Sequence, residues 1–168
     1  METKTAAAQT AVINSEAFLK HWQAHRGLTR RVIEAFPEKD LFLYSIGGMR
    51  PFVQLAMEII DLTNPGIVGL VTNEWKNMNE LPHSSGEGVP TTKEELLVLW
   101  DETTQQLERY WAKFTPDRFE DKVLAFGTYE GKVASTLFYF VDNEIHHRGQ
   151  GYVYLRALGI EPPYFWQR

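Results

Sequence analysis

A run of polar side chains interrupts an apolar, aromatic-rich stretch near the end of this 168-residue chain. Residues 143–150 include Asn143, Glu144 and His147, and burying such groups costs free energy unless they are paired or bind a metal. Glu144 and His147 have the Glu-x-x-His spacing that carboxylate-bridged metal bundles use. An imidazole and a carboxylate together suit zinc, nickel, iron or manganese. The run is therefore a candidate site for a divalent metal.

The same spacing is also compatible with an arrangement that holds no metal. Asn143 lies four residues before His147 and Glu144 three residues before it, so on a helix the three side chains can reach one point. Glu144, His147 and Arg148 could equally form a network of hydrogen bonds and salt bridges. A single Glu–His pair is weak as a motif, and on spacing alone both interpretations stay open.

Three further histidines lie outside this run. His21 and His25 are four residues apart, which would suit a metal on one helix face. Their neighbours Lys20 and Arg26 indicate a solvated face and would repel a cation. We therefore predict that His21 and His25 are dispensable for metal binding. His83 lies in a polar segment and is predicted to face solvent.

Composition excludes several classes of function. The net charge is −5 and no basic stripe is present, so the sequence gives no electrostatic argument for binding nucleic acid. The absence of cysteine excludes disulfides, thiolate nucleophiles and cysteine-ligated metals. No Walker loop or Gly-x-Gly-x-x-Gly motif occurs. A Ser–His–Asp triad stays open, although no nucleophile elbow is present. With no signal peptide and no apolar run near the ~20 residues of a membrane span, we expect a soluble cytoplasmic protein.

The polar run must be positioned by helices, and the first half of the chain predicts two. Residues 1–13 are predicted to be a flexible terminus, and residues 14–168 a single domain. Ser15 is a plausible N-cap for a first helix that Pro37 ends. A second, mostly apolar helix is predicted to begin near Pro51 and to break at residues 64–66.

The second half of the chain predicts two more helices. Residues 79–90 are predicted to be a long exposed loop, after which Thr92 and Glu95 form a capping box that opens a helix. Residues 122–131 fit either a short hairpin or an irregular crossover. A last helix is predicted over residues 132–158, with Gly159 as the residue after its C-cap. Four long helices in one small domain predict an all-α, four-helix bundle.

The last helix has an inward seam that includes the polar run. Seam positions recur at alternating steps of three and four residues, as on helices that face a bundle core. They are Val133, Leu137, Phe140, Glu144, His147, Gly151, Tyr154 and Leu158. His147 is therefore predicted to point into the bundle.

Three segments of the chain resemble the DinB-like (DinB/YfiT) superfamily. The most specific is His146-His147-Arg148-Gly149-Gln150, followed by Tyr154-Leu155-Arg156-Ala157-Leu158-Gly159 and Pro162-Pro163. Residues 49–59 resemble the family's second helix, and residues 29–38 the end of its first. Together the match spans nearly the whole chain.

The resemblance implies a four-helix bundle, usually a homodimer, that holds a divalent metal with three histidines. One histidine comes from the second helix and two from the fourth, spaced four residues apart. In this chain the three positions fall on Glu58, Asn143 and His147. We therefore predict that His147, Glu58 and Asn143 or Glu144 hold a divalent cation, more weakly than three imidazoles would.

Two functional hypotheses follow from the resemblance and the changed ligands. The first is a divalent-metal-dependent enzyme, either a hydrolase or a thiol-dependent transferase, associated with stress or DNA damage. The second is a non-catalytic bundle that binds a small molecule without metal or serves only as a dimeric interaction module. Either would be a homodimer with a small molecule as its partner, and neither implies nucleic acid or a membrane.

Overall fold

Four long helices form the predicted bundle in the computed structural model, which describes residues 13–168. They are α1 (Ser15–Ala35), α3 (Phe52–Thr72), α5 (Lys93–Trp111) and α6 (Val133–Ala157). Two short helices, α2 (Glu38–Leu43) and α4 (Pro82–Ser85), lie in the connections together with 3₁₀ turns at Met78–Glu80 and Pro116–Glu120. Residues 1–12 of the predicted flexible terminus lie outside the described residues.

The start of α1 differs from the prediction by one residue. Asn14, and not Ser15, is the N-cap, because the Asn14 side chain accepts a hydrogen bond of 2.7 Å from the backbone N–H of Ala17. Ser15 is the first helical residue, and its hydroxyl accepts a bond from the Trp111 indole. The capping box of Thr92 and Glu95 at the start of α5 is confirmed.

The predicted break at residues 64–66 is wrong, because α3 continues through Pro65 to Thr72. Pro65 cannot donate a backbone hydrogen bond within the helix, at a cost of about 3 kcal/mol. Packing of the following turns offsets this cost, since Ile67 and Leu70 are fully buried. Gly66 allows close approach of Phe140, because a Cβ atom on Gly66 would lie 2.6 Å from the Phe140 ring.

The expectation that no segment is long and apolar enough to span a membrane also needs correction. Helix α3 has 21 residues and an apolar window of mean hydropathy 1.3, which meets the length and composition of a span. Of this window, 67% is buried inside the protein. A helix that packs in the centre of a bundle can have the same length and composition, and the burial of α3 is typical of such a helix.

The segment predicted as an exposed loop at residues 79–90 is partly folded onto α3. Leu81 is fully buried, and Asp61 on α3 accepts bonds from both the backbone N–H and the ring Nδ1 of His83, at 2.8 and 2.7 Å. The prediction that His83 faces solvent is wrong for its imidazole, which is nearly buried. One buried carboxylate on α3 thus anchors this connection.

A hairpin resolves the ambiguity at residues 122–131. Strands β1 (Lys122–Ala125) and β2 (Tyr129–Lys132) pair antiparallel, with Ala125 opposite Tyr129. Phe126 and Gly127 make the turn with positive φ angles of 52° and 69°, a conformation that glycine adopts readily. Phe126 adopts it while its ring is buried in the core.

A polar layer crosses the middle of the bundle and separates two apolar clusters. One cluster contains Trp22, Leu107 and Phe140, and the other contains Ile33, Trp100 and Tyr154. Buried polar side chains lie between them on all four long helices. The layer includes Arg26, Thr29, Thr63, Thr103, Glu144 and Arg148. The predicted seam of α6 passes through this layer.

Candidate functional site

Glu58 on α3 meets Asn143 and His147 on α6 across the bundle. Its Oε1 lies 2.9 Å from Nδ2 of Asn143 and 3.0 Å from Nε2 of His147. Asn143 and His147 are four residues apart on one helix, so they lie on the same face one turn apart. The structure therefore brings together three of the four residues predicted to hold a metal.

Both ring nitrogens of His147 lie at hydrogen-bonding distance from an oxygen atom. Nδ1 of His147 lies 3.0 Å from Oε1 of Gln150, while the Gln150 amide nitrogen faces His146 at 3.4 Å. Nδ1 donates to Gln150 in one tautomer of the ring, and Nε2 then directs a lone pair at the carboxylate oxygen of Glu58. In the other tautomer, Nε2 donates its hydrogen to Glu58. In the first tautomer, Nε2 and Oε1 could bind one cation together.

Glu58 is ionised and held on both oxygens. Its Oε2 accepts a bond of 2.6 Å from Nη2 of Arg50. Burial alone would raise the pKa of Glu58, but the hydrogen bonds from His147, Asn143 and Arg50 outweigh burial and hold it well below its usual range. The carboxylate is therefore charged at neutral pH and available as a ligand or a base.

The donor atoms of this site fit a divalent cation of the hard or borderline kind. Oδ1 of Asn143 is buried and has no hydrogen-bond partner among residues 13–168. An amide oxygen, a carboxylate oxygen and an imidazole nitrogen are all ligands that manganese, iron or zinc accept. Two further hydrogen bonds orient these ligands: Gln150 contacts the ring of His147, and Arg50 contacts the carboxylate of Glu58. Of these three ligands, Glu58 is acidic, His147 is an imidazole and Asn143 is a neutral amide. Within residues 13–168, no group of three or more histidine, cysteine, aspartate or glutamate side chains is placed to hold a metal ion.

An apolar cavity of about 280 Å³ opens beside Glu58. The hairpin covers one side with Phe126 and Tyr129, and α6 supplies Tyr139 and Phe140 on the other. Burial raises the pKa of Tyr139, and the charge of Glu58 adds to this shift, which keeps the phenol protonated at neutral pH. A small molecule in this cavity would therefore contact aromatic walls, a carboxylate and a phenolic hydroxyl.

Glu144, the fourth predicted ligand, points away from this site. Its carboxylate is fully buried and accepts bonds from the Thr29 hydroxyl at 2.6 Å and the Trp22 indole at 3.3 Å. The guanidinium groups of Arg26 and Arg148 each lie 3.8 Å from it. It faces α1, whereas Asn143 faces α3, because consecutive residues on a helix are about 100° apart. The structure gives Glu144 a place in the polar layer and none beside His147.

His25 and Arg26 are buried, so the solvated face predicted around them is wrong at these two positions. His25 is 3% exposed and accepts a bond of 2.8 Å at Nδ1 from Arg148, whereas His21 is exposed. Burial lowers the pKa of His25 to about 3, and the charges of Arg148, His21 and Arg168 add to the effect. Burial likewise lowers the pKa of Arg26 to about 10, against the opposing charge of Glu144.

We expect His25 to make the protein less stable in mild acid. The unfolded chain takes up a proton on His25 near pH 6.5, whereas the folded chain does so only near pH 3. Stability from this residue is therefore lost as pH falls from 6.5 towards 3, by about 2 kcal/mol between pH 7 and pH 5. Urea denaturation of His25→Gln should show a correspondingly smaller pH dependence, while His146→Gln, at an exposed position, should match the parent. An unchanged pH dependence in His25→Gln would contradict this.

A Ser–His–Asp array that the sequence did not signal forms at the start of α4. Nε2 of His83 lies 3.2 Å from the Ser84 hydroxyl, and Asp61 holds Nδ1. The backbone N–H groups of residues 84–87 are all engaged in local hydrogen bonds, so they cannot stabilise an oxyanion. We therefore interpret this array as the anchor of the connection between α3 and α5.

Sequence reasoning missed three residues that support the candidate site. Arg50 and Gln150 hold Glu58 and His147, and Tyr139 lies at the cavity. Gln150 lies three residues after His147, a spacing that could have identified it. Tyr139 lies four residues before Asn143 on the same face. Arg50 precedes α3 and offered no periodic signal.

Comparisons with known proteins agree with the fold and the family expected from the sequence. A sequence model of the DinB family matches residues 1–167. No curated protein matches the chain. A DinB-like protein from Bacillus cereus superposes with a TM-score of 0.69 and 18% identity, over 88% of this chain and 95% of that one.

Two further solved structures carry functional descriptions. YfiT from Bacillus subtilis, a probable metal-dependent hydrolase with an unusual four-helix bundle topology, has a TM-score of 0.71 and 11% identity, over 93% of this chain and 95% of that one. A mycothiol-dependent maleylpyruvate isomerase has a TM-score of 0.63 and 16% identity, over 83% of this chain and 61% of that one. At these identities the likeness shows a shared fold. With the family match over residues 1–167, it follows that the chain belongs to the DinB family.

Proposed function

We propose that this protein is a divalent-metal-dependent enzyme that acts on a small molecule bound in the cavity beside Glu58. His147, Glu58 and Asn143 would hold the cation. The observation that carries the proposal is the 3.0 Å approach of His147 Nε2 to Glu58 Oε1 while Gln150 engages the other ring nitrogen. An imidazole nitrogen and a carboxylate oxygen are both ligands of divalent cations, and at this distance they can bind one cation together.

The class of reaction is proposed from relatives and from the ligand set. One structural relative is a probable metal-dependent hydrolase and another a thiol-dependent isomerase, which favours hydrolysis or thiol-dependent transfer. A bound divalent cation supplies Lewis-acid activation of a water or a thiol. The association with stress or DNA damage stays a prediction from the resemblance, as do the homodimer and the cytoplasmic location.

Residues of the chain itself would position the substrate and the ligands. Arg50 and Gln150 fix the orientation of Glu58 and His147, which lowers the reorganisation needed during reaction. Phe126 and Phe140 would give the substrate apolar contacts on opposite sides of the cavity. The Tyr139 hydroxyl can donate a hydrogen bond to a polar group of the substrate. A substrate with one apolar part and one polar group fits this lining.

Metal binding by the intact protein tests the proposal directly. Protein purified without chelator or nickel resin should contain about one equivalent of a divalent metal, or bind one from manganese, zinc or iron(II) in calorimetry. Binding should release a proton if it displaces one from His147, which repeating the titration in buffers of different ionisation enthalpy would detect. Protein that binds none of these metals would reject the proposal.

A metal-free binding function is the second candidate, and the Arg50 contact favours it. Arg50 lies 2.6 Å from Glu58, so the carboxylate already has one cationic partner, and a protonated His147 would supply another. The cavity could then bind a small molecule through its aromatic walls alone. Thermal shifts with small molecules in the presence of a chelator would support this second function.

A further inference from the structure

A second cavity, of about 350 Å³, lies on the other side of α6 from the Glu58 site. Arg148, Tyr152 and Arg156 line it from the helix, and the C-terminal segment 161–166 covers it. Asn143 and His147 face α3, whereas Arg148 and Tyr152 face α1 and the C-terminal segment. Neither the proposed metal site nor the cavity beside Glu58 uses any of these residues.

Positive charge is concentrated around this cavity in a chain whose net charge is −5. Arg148 and Arg156 line it, and Arg31 lies close enough to act electrostatically on the Tyr152 hydroxyl. The acidic side chain that lines the cavity is Glu161. Glu144 lies 3.8 Å behind Arg148, but it is shared with Arg26, so it does not neutralise both guanidinium groups.

The guanidinium of Arg148 is fixed in place before any ligand arrives. It is nearly buried, and it donates to the Thr29 hydroxyl at 3.0 Å and to Nδ1 of His25 at 2.8 Å.

Arg168 adds a fourth arginine, with Nη1 at 3.0 Å from Nε2 of His25. Because Nδ1 of His25 already accepts from Arg148, Nε2 carries the hydrogen in the neutral ring and cannot accept from Arg168. Arg168 thus gains no hydrogen bond from His25.

The Tyr152 hydroxyl gives a second, independent observation. Its oxygen is buried, and within residues 13–168 it has no hydrogen-bond partner. Leaving a buried hydroxyl unpaired costs free energy, which a ligand accepting its hydrogen would recover. Burial raises the pKa of Tyr152, against the opposing charges of Arg148, Arg31 and Arg156, so the hydroxyl can act as a donor at neutral pH.

Aromatic side chains form the outer wall of the cavity. Tyr164 and Trp166 stack on each other with ring centres 4.7 Å apart and an interplanar angle of 10°. Both rings remain exposed, Trp166 by 61%. A flat apolar group can therefore pack against this wall while an acidic group reaches the arginines.

We propose that this cavity binds a small anion that carries a carboxylate or phosphate group on a flat, apolar ring. Arg148 and Arg156 attract the anionic group, and the Tyr152 hydroxyl donates to it. Tyr164 and Trp166 contact the ring. This site is separate from the proposed metal site, so its ligand would be a second substrate or an effector.

Binding of four simple probes tests this proposal in the full-length protein. Phenyl phosphate and benzoate carry both a ring and an anionic group, benzyl alcohol carries the ring alone, and inorganic phosphate carries the charge alone. We expect calorimetry or chemical-shift perturbation to show binding of at least one ring-bearing anion, several-fold tighter than benzyl alcohol or phosphate. Its affinity should fall as salt is raised. The stronger of the two anions identifies the preferred acidic group.

Two variants and a matched control locate the site. Arg156→Gln and Tyr152→Phe should each weaken binding of the preferred anion by about fivefold to tenfold, as expected for the loss of one charged or neutral hydrogen bond. Arg109→Gln removes an exposed arginine from α5, outside the cavity, and should bind like the parent. Equal binding of benzyl alcohol and the anions, or equal affinities in Arg156→Gln and Arg109→Gln, would overturn the proposal.

Discussion

Replacing Glu144 with alanine is expected to lower the free energy of unfolding by about 3–5 kcal/mol, the largest effect on stability predicted for a single residue here. The fully buried carboxylate lies between the guanidinium groups of Arg26 and Arg148. Its removal leaves the buried guanidinium groups of Arg26 and Arg148 without their carboxylate partner. It also leaves the Trp22 indole without its hydrogen-bond partner.

Urea denaturation followed by tryptophan fluorescence would measure this effect. Glu144→Gln keeps the hydrogen-bonding shape but removes the charge, so it should also be destabilised, by less than Glu144→Ala. Glu102→Ala, at an exposed position on α5, is a control and should stay within about 0.5 kcal/mol of the parent. A Glu144→Ala protein within 1 kcal/mol of the parent would show that the polar layer does not depend on this charge.

Replacing His147 with alanine is expected to weaken binding of a divalent metal by at least about a hundredfold. Removing a residue that only orients a ligand typically costs 10–100-fold in affinity, and His147 supplies the nitrogen ligand itself. Gln150→Ala should cost about tenfold, because it frees the ring of His147 to rotate. Glu58→Gln removes the anionic ligand and should also abolish most of the affinity.

A histidine outside the site provides the control for these titrations. His21 is exposed on α1, and His21→Ala should bind metal as the parent does. His25 is a poor choice for this purpose, because it is buried against Arg148 and its replacement perturbs the polar layer. Circular dichroism on each variant separates loss of metal from loss of fold. If folded His147→Ala and Glu58→Gln proteins bind metal as tightly as the parent, the metal lies elsewhere.

Sequence patterns were enough to predict the four long helices, the capping box at Thr92 and the inward seam of α6, because hydrophobic period and capping are local properties of the chain. The motif of α6 also indicated the family. The position of Glu58 beside Asn143 and His147 was predicted from that resemblance. Helix spacing alone could not predict it, because Glu58 lies on a different helix. The structure places Oε1 of Glu58 within 3.0 Å of both partners.

The directions in which neighbouring polar residues of α6 point could not be predicted from the sequence, because they depend on packing against the other helices. Asn143 and Glu144 are equally good partners for His147 by spacing, yet Asn143 faces α3 and Glu144 faces α1. The burial of His25 and Arg26 and the continuation of α3 through Pro65 depend on distant partners in the same way. The energy of packing against another helix exceeds the local preferences that a sequence pattern records. The contact of Arg50 with Glu58 and the buried hydroxyl of Tyr152 therefore became visible only in the folded bundle.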